Sequence, residues 1–156
     1  QDLSADTFAV SGGAGNDVME ISGTANGATA VAVTVNGGAG NDTLKLGALA
    51  NVADASEDNF MDSLITFADF NGDEDVLDIT GTLGTLSNTQ RANIAAEDNL
   101  YDALVNAAAQ ATGTVAFDFG GDAYVYTNDN SAFDAGDGLV KLAGFSVENF
   151  DASNLI

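Results

Sequence analysis

The hexapeptide Gly-Gly-Ala-Gly-Asn-Asp occurs twice, at residues 12–17 and 37–42. Its surroundings repeat with it. Phe8 and Val10 lead into the first copy as Val33 and Val35 lead into the second, and Met19 and Ile21 follow the first as Leu44 and Leu46 follow the second. Apolar residues two apart mark strands with one buried face. The glycines between them need positive φ and close backbone approach, which glycine alone accepts freely. Such a chain builds short strands hinged on tight loops. The copies start twenty-five residues apart (37 − 12 = 25), whereas a regular nonapeptide roll returns to one edge about every eighteen residues. The stretch between them, 22–29, reads as a Gly/Ala/Thr/Asn loop with no second motif. The spacing therefore predicts one enlarged coil with both motif loops stacked on the same edge, and argues against a regular two-sided roll.

Loops of this kind aim several backbone carbonyls at one point, and the closing Asp adds formal charge. Calcium takes about six to eight oxygens, too many for one loop and within reach of two. The candidate ligands are Gly12, Ala14, Gly15 and Asp17 in the first loop and Gly37, Gly38, Ala39, Gly40 and Asp42 in the second. The competing reading is a pair of plain glycine turns, each closed by its Asp side chain. Duplication together with matching apolar flanks favours calcium, placed between Asp17 and Asp42.

The charge balance points the same way. The chain has 24 acidic residues against 3 basic ones, a net charge of −21, yet 46% of its 156 residues are hydrophobic, so it has the means to build a core. A chain this acidic repels itself when compact and has no basic patch to displace phosphate counterions, which excludes nucleic acid as a partner and disfavours anionic membranes. Hard cations are its natural ligands. Cys, His, Trp and Pro are all absent. That removes the thiol nucleophile, the histidine base and the usual zinc ligands together, so no enzyme is expected. Paired carboxylates suited to glycoside hydrolysis would occur by chance among so many acids, and no Trp and few Tyr are available to stack on sugars. No apolar run is long enough to span a membrane. The N-terminus shows no basic region followed by an apolar segment, so no signal peptide is expected there, and Gln1 in place of Met is expected of a piece of a longer chain.

The expected fold class is mainly β: a short, irregular calcium-binding β-roll or β-helix followed by antiparallel strands with one packed helix. Two segments are expected, 1–50 for the coil and 51–156 for the rest. Within the second, Ser56 is expected to cap a short helix carrying Phe60 and Met61 inward. Residues 64–67 and 76–79 read as strands. A helical stretch over 87–111, capped by Ser87 or Asn88 and ended by Gly113, carries Ile94, Leu100, Tyr101, Leu104, Val105 and Ala108 on one apolar face, with a break expected near Ala96. Residues 115–119 and 123–126 form a hairpin about Gly120-Gly121, and 139–142 a third strand.

Two further acidic loops stand out. Asp69, Asn71, Asp73 and Asp75 alternate like the start of an EF-hand, but Gly72 falls at the wrong position and Thr80 stands where that loop needs Glu. The segment reads as a solvated acidic turn. The loop 128–138 offers Asp129, Asp134 and Asp137, which could wrap a calcium ion or form a solvated, mobile loop; both readings stand.

The two glycine hexapeptides resemble the repeats of RTX (repeats-in-toxin) proteins, and the second half is similar to the C-terminal regions of that family. The segments that carry the second likeness are Thr-Phe-Ala-Asp-Phe-Asn-Gly-Asp-Glu-Asp-Val-Leu-Asp-Ile over 66–79, Ala-Tyr-Val-Tyr over 123–126, and Asp-Ala-Gly-Asp-Gly-Leu-Val-Lys-Leu-Ala-Gly over 134–144. The ending, with Phe150 and the final Leu155 and Ile156, resembles the family's uncleaved type I secretion signals. The likeness implies a bacterial protein that is secreted or held at the cell surface and folds on calcium after export. Calcium ions and the type I secretion machinery are then its partners, with self-association into a surface lattice or filament, as in surface-layer (S-layer) proteins and adhesins. The alternatives are the non-catalytic secretion module of an extracellular hydrolase, whose catalytic domain would lie upstream, and a carbohydrate-binding β-domain.

Overall fold

A computed structural model describes residues 7–21, 31–47, 52, 55–57 and 59–156. The loop expected over 22–29 lies outside them, as do Asp54 and Asp58. The fold is mainly β. Strands β1 (Thr7–Ala14) and β2 (Val18–Glu20) flank the first glycine loop, and β3 (Ala32–Ala39) and β4 (Thr43–Gly47) flank the second. β1 lies parallel to β3 with Val10 opposite Val35, and β2 lies parallel to β4 with Met19 opposite Leu44. The duplicated sequence thus stacks on itself, each residue beside its own copy.

The stack has a third turn. β5 (Ile65–Phe67) adds to β3, and β6 (Val76–Ile79) adds to β4, both in parallel. Two rows of apolar side chains result: Val10, Val35 and Phe67 along one sheet, and Met19, Leu44 and Leu77 along the other. Val35, Phe67, Leu44 and Leu77 are fully buried between them. Both sheets pair strands of the segment expected over 1–50 with strands of the segment expected over 51–156.

Beyond the coil, β9 (Gly138–Leu142) pairs in parallel with β5, then β8 (Asp122–Asn128) and β7 (Gly113–Phe119) follow in antiparallel. One sheet therefore runs β1-β3-β5-β9-β8-β7 beside a smaller one, β2-β4-β6. Both faces of the antiparallel portion are buried. Ala116, Val125, Val140 and Leu142 join the coil's core, while Val115, Phe117, Tyr126 and Leu139 pack under two helices.

Those helices replace the single one expected. α1 (Asn88–Ala95) starts at a reciprocal capping box between Ser87 and Gln90, and α2 (Leu100–Gln110) starts where Asn99 accepts the Asp102 N–H at 2.9 Å. The break falls at Ala96 as the spacing suggests, and the Asn99 cap is what makes it a second start. The short helix near Ser56 is a 3₁₀ turn, Phe60–Ser63, preceded by Asn59 with no side-chain cap. It buries Phe60 but leaves Met61 43% exposed. At three residues per turn adjacent side chains cannot share a face, which corrects the expectation that both point inward.

The C-terminal tail closes one end of the coil. Phe150 packs against Phe70 and Phe145. The Ile156 N–H donates to the Leu77 carbonyl at 3.0 Å, and the Asn154 amide donates to the Gly72 carbonyl at 2.7 Å. No helix among the described residues is long and apolar enough to cross a membrane.

Candidate metal centre

The glycine loops meet directly. The Gly15 N–H donates to the Ala39 carbonyl at 2.7 Å, and the Asn41 N–H donates to the Asn16 side chain at 3.0 Å. Gly38 and Gly40 hold φ values of +102° and +126°, and a Cβ on either would run into the carbonyl oxygen of Gly13 or Gly15 in the loop above. Both requirements, the positive φ and the missing side chain, make these positions glycine. A Cβ on Gly12 would stand 2.7 Å from the Gly37 carbonyl oxygen and 2.8 Å from Asp17 Oδ2. Carbonyls and carboxylate oxygens therefore converge on the space that the absent side chains leave.

The closing aspartates form a ladder. The Asp17 N–H donates to Asp42 Oδ1 and the Asp42 N–H to Asp75 Oδ1, both at 2.9 Å. In the same rungs, the N–H groups of Thr43 and Val76 donate to the carbonyls of Asp17 and Asp42. Asp42 is 1% exposed, yet its Oδ2, like that of Asp17, is buried without a hydrogen-bond partner. Leaving such an atom unsatisfied costs about 1–3 kcal/mol, and more for a charged group. Two orphaned carboxylate oxygens beside a cradle of carbonyls fit a hard cation, whose ligands are oxygens. Of the residues chosen from sequence, Asp17 and Asp42 are joined by the first rung of the ladder, and the Gly37 carbonyl and Asp17 Oδ2 both face the space beside Gly12; the Ala39 carbonyl is engaged by Gly15, and Ala14 lies opposite Ala39 in the strand pair.

The third turn differs in chemistry. Asp69 accepts the N–H groups of Gly37 and Gly38 at 2.8 and 2.9 Å, one on each oxygen. Asp75 likewise fills both oxygens, from Asp42 and from Asn71 at 2.8 Å. Asp75 is 4% exposed, which corrects its reading as part of a solvated turn. Burial raises its carboxyl above the usual range, opposed by those N–H groups and aided by the charges of Asp42 and Asp69. Sequence spacing carried a signal for it. Asp75-Val-Leu-Asp-Ile repeats the Asp-x-apolar-x-apolar pattern that follows both glycine motifs at Asp17 and Asp42.

The second acidic site is a single loop between β8 and β9. Asp129, Asp134 and Asp137 bring one carboxylate oxygen each within 4.8 Å of one another, an arrangement that could hold a metal ion. Asp137 is buried, Asp134 half-buried and Asp129 exposed. The Tyr126 hydroxyl donates to Asp137 Oδ2 at 2.5 Å, and the Asp134 N–H donates to the same oxygen at 3.1 Å. Asn128, buried at the end of β8, turns the loop by accepting the N–H groups of Asn130 and Ser131, while its own amide donates to the Ala108 carbonyl. Backbone bonds between Val52 and residues 136 and 137 brace the far side. Burial raises the Asp137 carboxyl, and the charges of Asp134 and Asp129 add to it against the pull of Tyr126. Burial also drives the Tyr126 hydroxyl far up, with Asp137 next in effect. Tyr126 is the support that sequence reasoning missed, because it looks like an ordinary core residue of a strand; Asn128 stands at the start of the expected loop, and its role in turning that loop is what the structure adds.

No known family model matches the chain, and no curated protein matches it.

Proposed function

We propose that this chain is a calcium-organised structural module of a secreted, cell-surface protein and performs no catalysis. One ion is held between the glycine loops by Asp17, Asp42 and backbone carbonyls, and another by Asp129, Asp134 and Asp137. The observation that carries this reading is the pair of orphaned buried oxygens, Asp17 Oδ2 and Asp42 Oδ2. Calcium suits them because hard cations take oxygen ligands and because extracellular calcium modules bind at about 10⁻⁴–10⁻³ M, well above cytosolic levels. The chain would stay loose inside the cell and settle after export, since binding energy that needs the folded site becomes folding energy. Export by the type I machinery and self-association on a bacterial surface belong to the same proposal and rest on the RTX-like loops.

Isothermal titration of chelated protein with calcium tests it. Two classes of site are expected. Asp17→Asn with Asp42→Asn removes one, and Asp134→Asn with Asp137→Asn removes the other. A wild-type chain that takes up no calcium at millimolar concentration refutes the reading. A carbohydrate-binding role has one observation in its favour, an open groove of about 520 Å³ lined by Phe60, Tyr101, Phe119 and Tyr124. Glycan binding that survives chelation would support that second reading.

A further inference from the structure

The two junctions of the coil are built from different materials. Where the second coil meets the third, both oxygens of the two joining carboxylates are filled by the protein: Asp69 takes Gly37 and Gly38, and Asp75 takes Asp42 and Asn71. Where the first coil meets the second, Asp17 Oδ2 and Asp42 Oδ2 are both left over, and Asp42 is 1% exposed. Apolar burial divides in the same way. The second coil buries Val33, Val35, Leu44 and Leu46, whereas the first buries Met19 alone, with Val10 and Ile21 only partly covered. Phe8, in register with buried Val33, is 59% exposed.

We infer that the cation in the coil controls the docking of the first coil, residues 7–21, and of that coil only. The second coil stays docked on the third without metal, because Asp69 supplies from the protein the negative charge that satisfies its glycine loop. Asp69 and Asp75 make residues 68–75 a metal-free template, and the glycine loop at 37–42 is presented on it as half of a site. The first coil brings the other half. Without the cation its docking buries two unpaired carboxylate oxygens and gains little apolar contact in return. With the cation those oxygens are ligands. Binding and docking are then a single event, confined to one end of a coil whose other end is held by the C-terminal tail. This inference rests on the calcium reading above and adds which part of the chain the ion governs.

Amide exchange followed residue by residue on the full chain, in calcium and in chelator, tests it. The reporters are the N–H groups that bridge each junction: Gly15, Asp17 and Ile21 from the first coil to the second, and Val33, Gly37, Gly38 and Asp42 from the second to the third. Chelation is expected to speed exchange of the first set by at least about tenfold and to leave the second set unchanged. In Asp69→Ala, Gly37 and Gly38 are expected to lose protection in chelator, which a merely decorative Asp69 would not cause. Calcium bound with both sets released together overturns the inference and leaves the calcium reading intact. Protection of the first set in chelator, with calcium still taken up at the coil when it is supplied, also overturns the inference alone. No calcium bound overturns both.

Discussion

The two acidic sites reach the same chemistry by opposite routes. Between the glycine loops, the oxygens come from segments twenty-five residues apart and meet only when coils stack. In the loop 128–138 they come from one short segment slung between two strands that pair with each other regardless. Under the proposal above, a cation in the first site would govern the docking of a coil, and one in the second would govern local order. The supports reflect this. The coil site is framed by backbone, with close contacts that only glycine permits. The loop site hangs on side chains, chiefly Tyr126 under Asp137 and Asn128 under Asn130.

Glycine substitution separates the two most sharply. A Cβ on Gly38, at φ +102°, would overlap the Gly13 carbonyl, whereas one on Gly136, at φ +106°, would meet nothing within 4 Å. Gly38→Ala is expected to destabilise by about 3 kcal/mol or more, through both backbone strain and steric overlap. Gly136→Ala should cost only the backbone term, about 1–2 kcal/mol. Denaturant unfolding in calcium measures both, and equal losses would erase the distinction.

Calcium removal ranks next. A ligand at a hundred times its dissociation constant stabilises by about 2.7 kcal/mol per site. For a chain of this length that moves the melting temperature by several degrees, at about 2–4 °C per kcal/mol. The Asp17→Asn, Asp42→Asn pair should lose more of this shift than the Asp134→Asn, Asp137→Asn pair, because only the coil site couples to docking. It should also leave the metal-free protein no less stable than wild type, since it removes two carboxylate charges whose Oδ2 atoms are buried without a partner. The reverse ranking in a thermal melt would break the comparison. Tyr126→Phe, which strips one donor from Asp137, is expected to cost about 1.5 kcal/mol and to weaken only the loop site. A calorimetric titration in which it altered the coil site would show that the two communicate.

Much of this contrast was legible in the sequence. Identical hexapeptides with apolar residues two apart leave stacked parallel strands as the economical solution, and β1 to β4 follow it. The third coil was hidden because its turn, 68–75, replaces glycine with Asp69 and Phe70. A carboxylate caps the second loop there, so no motif needed repeating; only the Asp75 spacing persists. The antiparallel strands were legible as strands but not as a two-sided layer, since Val115, Phe117 and Phe119 alternate as a one-sided strand would, whereas Ala116 between them is buried as well. Asp137 could be named as a candidate but its burial could not, because it depends on Tyr126 and Val52 arriving from elsewhere in the chain.

Acidity gives the gentlest test and the one with a sign to check. Asp137 and Asp75 both carry folded-state carboxyl pKa values raised above 3.8 by burial. A raised acid binds its proton more tightly in the folded state, so its contribution is fully present below 3.8 and is lost as pH rises through the raised value. Metal-free protein should therefore gain stability as pH falls from neutral into that window, the opposite of ordinary acid denaturation. Calcium should reverse the slope at Asp137, since the ion and the proton compete for the same oxygen, and should leave Asp75 alone, whose oxygens are filled by backbone N–H groups. Melting curves across pH in chelator and in calcium, for wild type and Asp137→Asn, read the two apart. If calcium flattens the profile equally in both proteins, the loop site does not bind the ion, and the contrast collapses onto the coil.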